Sequence, residues 1–152
     1  MRVLLTFSGK HGDIIWSLAA ARALSLSGSV EIDFGVMPAY TAVLPLIAMQ
    51  PYIRLAFSID GWHQLHDRFG AQPRIPPSVP AGYDETHHLT YESFPSDPLI
   101  FNAFKQLNLS MPQPPVPFLS SNGNGKDDPR MVTYAFNGNN RPSKMALIDQ
   151  LR

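Results

Sequence analysis

Six consecutive residues, Ser8-Gly9-Lys10-His11-Gly12-Asp13, bring a carboxylate, an imidazole, an ammonium and a hydroxyl into one short stretch. Asp13 is the group best suited to chemistry, because a carboxylate held beside a bound hydroxyl takes its proton as a general base. The same residue stands where a helix N-cap belongs, and there one of its oxygens accepts a first-turn N–H. The two roles are compatible, since a carboxylate has two oxygens. Gly9 and Gly12 let the backbone approach a ligand closely or take positive φ. Lys10 and His11 are placed either to bind an anion or to be solvated.

A reactive loop needs rigid elements on both sides, and the flanking sequence supplies them. Val3, Leu4, Leu5 and Phe7 form the apolar run of a buried parallel strand. From Ile14 the chain is rich in Ala and Leu, strong helix formers, and this helix closes at Gly28. Strand, loop and helix make the opening half of a βαβ unit, and in open α/β sheets ligands bind beyond the carboxyl ends of the strands. Two phosphate loops are excluded. Gly9-Lys10 is followed by His11, with Leu4 in the place of the earlier glycine, so the Gly-x-x-x-x-Gly-Lys-Ser/Thr pattern fails. Gly9 and Gly12 supply only the last spacing of Gly-x-Gly-x-x-Gly, and Asp33 lies within its strand instead of at the end, where a ribose partner belongs.

Val3 to Leu24, with its loop ending in Gly12-Asp13 and its Ala-rich helix, resembles the heptosyltransferase family of sugar transferases, glycosyltransferase family nine. The resemblance implies an α/β fold: a Rossmann-like parallel sheet with helices on both faces, the N-terminal half of a GT-B arrangement. It also implies that Asp13 is the catalytic base, with Ser8, Gly9, Lys10, His11 and Gly12 forming the acceptor-side loop around it.

Composition sets the limits. Twelve basic and twelve acidic residues balance, and no basic run appears, which argues against nucleic acid as the main partner. With no cysteine there is neither a disulfide framework nor thiolate chemistry. Met1-Arg2-Val3 reads as a strand and not a signal peptide. Ala42 to Met49 is far too short to span a bilayer. The expectation is a cytoplasmic protein. The chain holds fifteen prolines, most of them after residue 70, and these predict long extended connections in its second half.

Beyond the first helix, Val30–Val36 alternates as a strand, Tyr40 to Met49 reads as a short helix bent or broken at Pro45, and Ile53–Ile59 is a third strand. Trp62 to Phe69 reads as a helical turn carrying His63 and His66, whose spacing puts both on one helix face, the geometry of a paired metal site; no third ligand is evident and no metal is assigned. Gln72 to Gly82 is an extended loop, and Asp84–Leu89 a fourth strand, parallel to the others, with the first strand inside the sheet. His87 and His88, as adjacent strand residues, point to opposite faces. One of them is expected at the cleft end against an acceptor sugar, the alternative being an ordinary strand histidine. Asp97-Pro98 reads as an N-cap and first helical residue, opening a helix to about Leu107 that buries Leu99, Phe101, Phe104 and Leu107.

Residues 1–119 thus read as one domain and 120–130, polar and Gly-rich, as an interdomain linker. At 131–152 a new strand, loop and helix begin. This again resembles the heptosyltransferases, whose second domain opens with a strand, a small-residue loop and a Lys entering a helix. There the Lys contacts the donor's diphosphate; Lys144 matches it, and Arg141 and Ser143 lie beside it. The chain then stops at Arg152 after too little sequence for a second core, so it is expected to hold a truncated donor domain and to lack turnover alone.

The implied reaction is transfer of a sugar from a nucleotide-diphosphate donor to a hydroxyl of a glycan or glycolipid, with peripheral membrane contact where the acceptor is lipid-linked. No Asp-x-Asp motif is present, and the simpler expectation is a mechanism without a metal or other cofactor. The alternative is a non-catalytic α/β module that binds a small anion or a partner protein, with Asp13 serving only as a helix cap.

Overall fold

The structure, a computed structural model, describes residues 1–63, 75–90, 96–111 and 118–119, and for Leu99 the backbone alone. Within them the chain forms strands β1 (Arg2–Phe7), β2 (Glu31–Val36), β3 (Ile53–Ser58) and β4 (Glu85–Leu89), and helices α1 (His11–Leu26), α2 (Leu44–Ala48) and α3 (Leu99–Gln106). The four strands are all parallel, in the order β3-β2-β1-β4. This is an α/β, Rossmann-like sheet with β1 inside, as the apolar runs and short connections predict. The expected linker and second domain, 120–152, lie outside the described residues.

Side chains alternate across a strand, so the register sorts the sheet into two faces. Val3, Leu5 and Phe7 share one face with Ile32, Phe34 and Val36, and join the buried residues of α1 in a continuous core. α1 is buried on more than one stripe, at Ile14, Ser17, Leu18, Ala19, Ala20, Ala21 and Leu24. It packs against α3 as well as the sheet, and its alanines let both neighbours come close. Ser17 tolerates burial because its hydroxyl donates to the Ile14 carbonyl at 2.7 Å.

The other face carries Arg2, Leu4, Thr6, Asp33, Gly35, Thr86 and His88. Asp33 is 1 % exposed, and a buried carboxylate is costly unless it is paired. A β-bulge supplies its partner. Ile53 and Leu55 oppose Ile32 and Asp33, which leaves Arg54 as the extra residue, and its guanidinium pairs with Asp33. The Tyr83 hydroxyl donates to the same carboxylate at 2.8 Å, and Arg2 lies at 3.6 Å with its guanidinium over the Tyr83 ring. Burial and the bond to Asp33 both raise the Tyr83 pKa. Beyond β3, Ile59 and Trp62 are buried, and Ile59 packs against Gly35 of this second face. The helical turn expected from Trp62 to Phe69 falls largely on residues outside those described.

Three local expectations are corrected. Pro45 does not break a helix. It lies in the first turn of α2, where its missing N–H costs nothing, and the chain bends earlier, at Tyr40 (φ −119°, ψ 21°), within a 3-10 turn over Pro38–Val43. Asp97 does not cap α3; Pro98 holds that position, and Asp97 instead accepts from Lys105 Nζ at 2.5 Å. Phe101 is exposed, whereas Asn102 is buried along with Phe104 and Leu107. The reason is polar. Gln106 donates to Asn102 Oδ1 at 2.5 Å and clamps both backbone groups of Thr90, accepting its N–H at 3.0 Å and donating to its carbonyl at 2.6 Å. This amide docks α3 onto the end of β4, a bond that hydrophobic periodicity does not register. Among the described residues no helix is long and apolar enough to cross a membrane.

Candidate active site at the carboxyl ends of the strands

From β1 the chain steps outward to β2 and β3, then returns across the sheet to place β4 on the other side of β1. The reversal makes a topological switch point between β1 and β4, and the crevice beyond their carboxyl ends is where open α/β sheets bind ligands. Ser8, Gly9 and Lys10 emerge from β1 at that crevice. The Ser8 N–H points to the Leu89 carbonyl at 3.4 Å, which ties the loop to the end of β4.

α1 begins three residues earlier than a cap at Asp13 would place it. Lys10 is the N-cap, and His11, Gly12 and Asp13 are already helical. Asp13 is therefore not the N-cap but the third helical residue. Its Oδ2 reaches back to accept the Lys10 backbone N–H at 2.9 Å, the half of a capping box that a carboxylate performs. The early start is favoured by the carboxylate of Asp13 in the first turn, although Gly12 there is a poor helix former. Oδ1 of Asp13 has no partner among the described residues.

The two loop glycines serve different ends. A Cβ on Gly9 would lie 2.5 Å from Asp13 Cβ and 2.8 Å from Asp13 Oδ2, and it would also strike the Phe7 ring, so the Asp13 side chain folds over a space only glycine leaves open. A Cβ on Gly12 would meet nothing within 4 Å beyond its own helix backbone, and neither glycine has positive φ. Lys10, His11 and Gly12 are exposed at the crevice, and Ser8 is buried. The His11 ring meets Tyr40 edge to face, with centroids 5.1 Å apart. That contact brings the 3-10 turn after β2 against the start of α1, a neighbour not evident from the spacing of these residues.

The strand histidines separate as alternation requires. His87 Nε2 pairs with Glu85 at 3.0 Å on the α1 side of the sheet. On the opposite face, His88 Nδ1 lies 2.8 Å from Thr6 Oγ1. Burial, and secondarily His87, lowers the His88 pKa below its ordinary value near 6.5. The folded protein thus favours neutral His88, and the unfolded chain binds that proton more readily. The stabilising contribution is present above about pH 6.5 and is lost as the pH falls through the folded value. The melting temperature, followed by circular dichroism from pH 7.5 to 5, is expected to fall less in His88→Asn than in the wild type. Equal slopes would remove His88 as the cause.

Arg141, Ser143 and Lys144, the expected donor-side groups, lie outside the described residues, as does His66; His63 is exposed. Among the described residues no three His, Asp or Glu side chains gather where they could hold a metal ion. No family model matches the chain, and neither the curated proteins nor the solved structures contain a significant match to it.

Proposed function

We propose that this chain is the acceptor-side part of a heptosyltransferase-like glycosyltransferase, which moves a sugar from a nucleotide-diphosphate donor to a hydroxyl of a glycan or glycolipid. The observation that carries the reading is Asp13 at the mouth of the β1/β4 crevice, with Oδ2 fixed by the Lys10 N–H and Oδ1 without a partner among the described residues. A carboxylate held this way is oriented without being used up. It takes the proton of the acceptor hydroxyl as that oxygen attacks the anomeric carbon of the donor. The bond from that carbon to the diphosphate breaks, and the nucleoside diphosphate leaves with the bonding electrons. In this reading Lys144, with Ser143 and Arg141, offsets the charge gathering on the leaving group.

The test is an assay of the protein encoded by the complete reading frame, supplied with a panel of nucleotide-diphosphate sugars and glycan acceptors. Glycoside formation matched by nucleoside diphosphate release supports the reading. Saturable anion binding without transfer from any donor would favour the non-catalytic module instead.

A further inference from the structure

In the register of β1 and β4, Thr6 stands opposite His88 on the face turned away from α1. Thr6 is fully buried and has no room to turn. Its methyl faces Gly35, where an added Cβ would lie 3.4 Å from Thr6 Cγ2 and 2.6 Å from Ile59 Cδ1. A β-branched side chain with its methyl packed keeps one rotamer, so the hydroxyl stays on the imidazole at 2.8 Å. That hydroxyl has no other acceptor among the described residues. With the hydroxyl as the donor to Nδ1, the tautomer this proposal uses, the imidazole proton lies on Nε2. His88 is half-buried, and its Nε2 has no partner among the described residues.

Just past the end of β1 comes Ser8, buried and likewise without a partner for Oγ among the described residues. An N–H donor and a hydroxyl, both uncharged, therefore flank the crevice on the β4 side. Such a pair matches the hydroxyls of a neutral sugar. A phosphate or carboxylate would call for a cation, and the cationic side chain nearby, Lys10, belongs to the start of α1.

We propose that His88, oriented by Thr6, acts with Ser8 to bind hydroxyl groups of the acceptor sugar and so presents the attacking hydroxyl to Asp13. This rests on the glycosyl-transfer reading above.

The experiment is steady-state kinetics on the full-length protein, with acceptor and donor varied separately. His88→Asn keeps an amide near Nδ1 but loses the Nε2 donor. It is expected to raise the acceptor KM about three- to tenfold, the scale of one neutral hydrogen bond, and to leave the donor KM unchanged. His88→Gln, whose amide reaches the Nε2 position, is expected to recover part of that loss. An unchanged acceptor KM in His88→Asn overturns the proposal. If Asp13→Asn still abolishes transfer in that case, the transferase reading survives and only the role of His88 is lost. Absence of transfer by the wild type overturns both.

Nitrogen NMR of the wild-type imidazole avoids any question of whether a variant folds. Methyl glycosides of common hexoses are expected to shift His88 Nε2 saturably, and inorganic phosphate is not. The reverse pattern would overturn the proposal.

Discussion

Asp13→Asn is expected to lower transfer on the order of a hundredfold or more, the usual loss on removing a general base, while the fold stays intact. Asn keeps an oxygen to accept the Lys10 N–H, which Asp13 Oδ2 now takes at 2.9 Å. What it loses structurally is a negative charge in the first turn of α1, worth about 0.3–1 kcal/mol against the helix dipole. The melting temperature should therefore drop by a few degrees at most. The two readings of Asp13 separate cleanly on these outcomes. A base gives a kcat collapse with near-normal melting. A capping role alone gives normal kcat, since the amide caps almost as well. Parallel kinetics and calorimetry on one preparation make the measurement.

The second large effect falls on Gly9. Gly9→Ala would drive a methyl into Asp13 Cβ at 2.5 Å and into the Phe7 ring. Neither neighbour can yield cheaply. Phe7 is fully buried, and Asp13 Cβ is fixed by the helical backbone. Overpacking of this kind costs about 1–3 kcal/mol, and relieving it displaces the proposed base. Both stability and transfer are expected to fall, by contrast with Asp13→Asn, which lowers transfer and leaves melting within a few degrees of the wild type.

Gly12→Ala is the matched control. Its methyl enters open space in the first turn of a helix, where replacing glycine is expected to stabilise by about 0.4–1 kcal/mol. Thermal melts of the three variants side by side check this ordering. If Gly9→Ala melts like the wild type, the packing account of the loop is wrong.

Much of the site is local, and that part was legible. The apolar run Val3–Phe7, the polar turn and the Ala-rich segment after Ile14 each report a period or a propensity within a few residues of chain. They predicted a buried parallel strand, a loop at its carboxyl end and a helix, and the structure has all three. The helix start was misplaced by a few residues because backbone geometry, not residue type, decides where the first turn closes. Asp13 moved from cap to third helical residue on that account, although its carboxylate still bonds a backbone N–H at the helix N-terminus, that of Lys10.

Partners distant in the chain were not legible. Thr6 and His88 are 82 residues apart, and Asp33 meets Arg54 through a bulge that shifts one residue of register. Gln106 holds Thr90 by an amide that no hydrophobic pattern marks. Sequence by itself determined the elements, their parallel direction and the loop carrying Asp13, because short-range periodicity and turn chemistry are written within each segment. Only the tertiary structure decided that β4 lies beside β1, and with it where the crevice opens and which histidine faces it. Strand order follows from how the whole chain buries its apolar faces, and a single strand pattern is compatible with several neighbours.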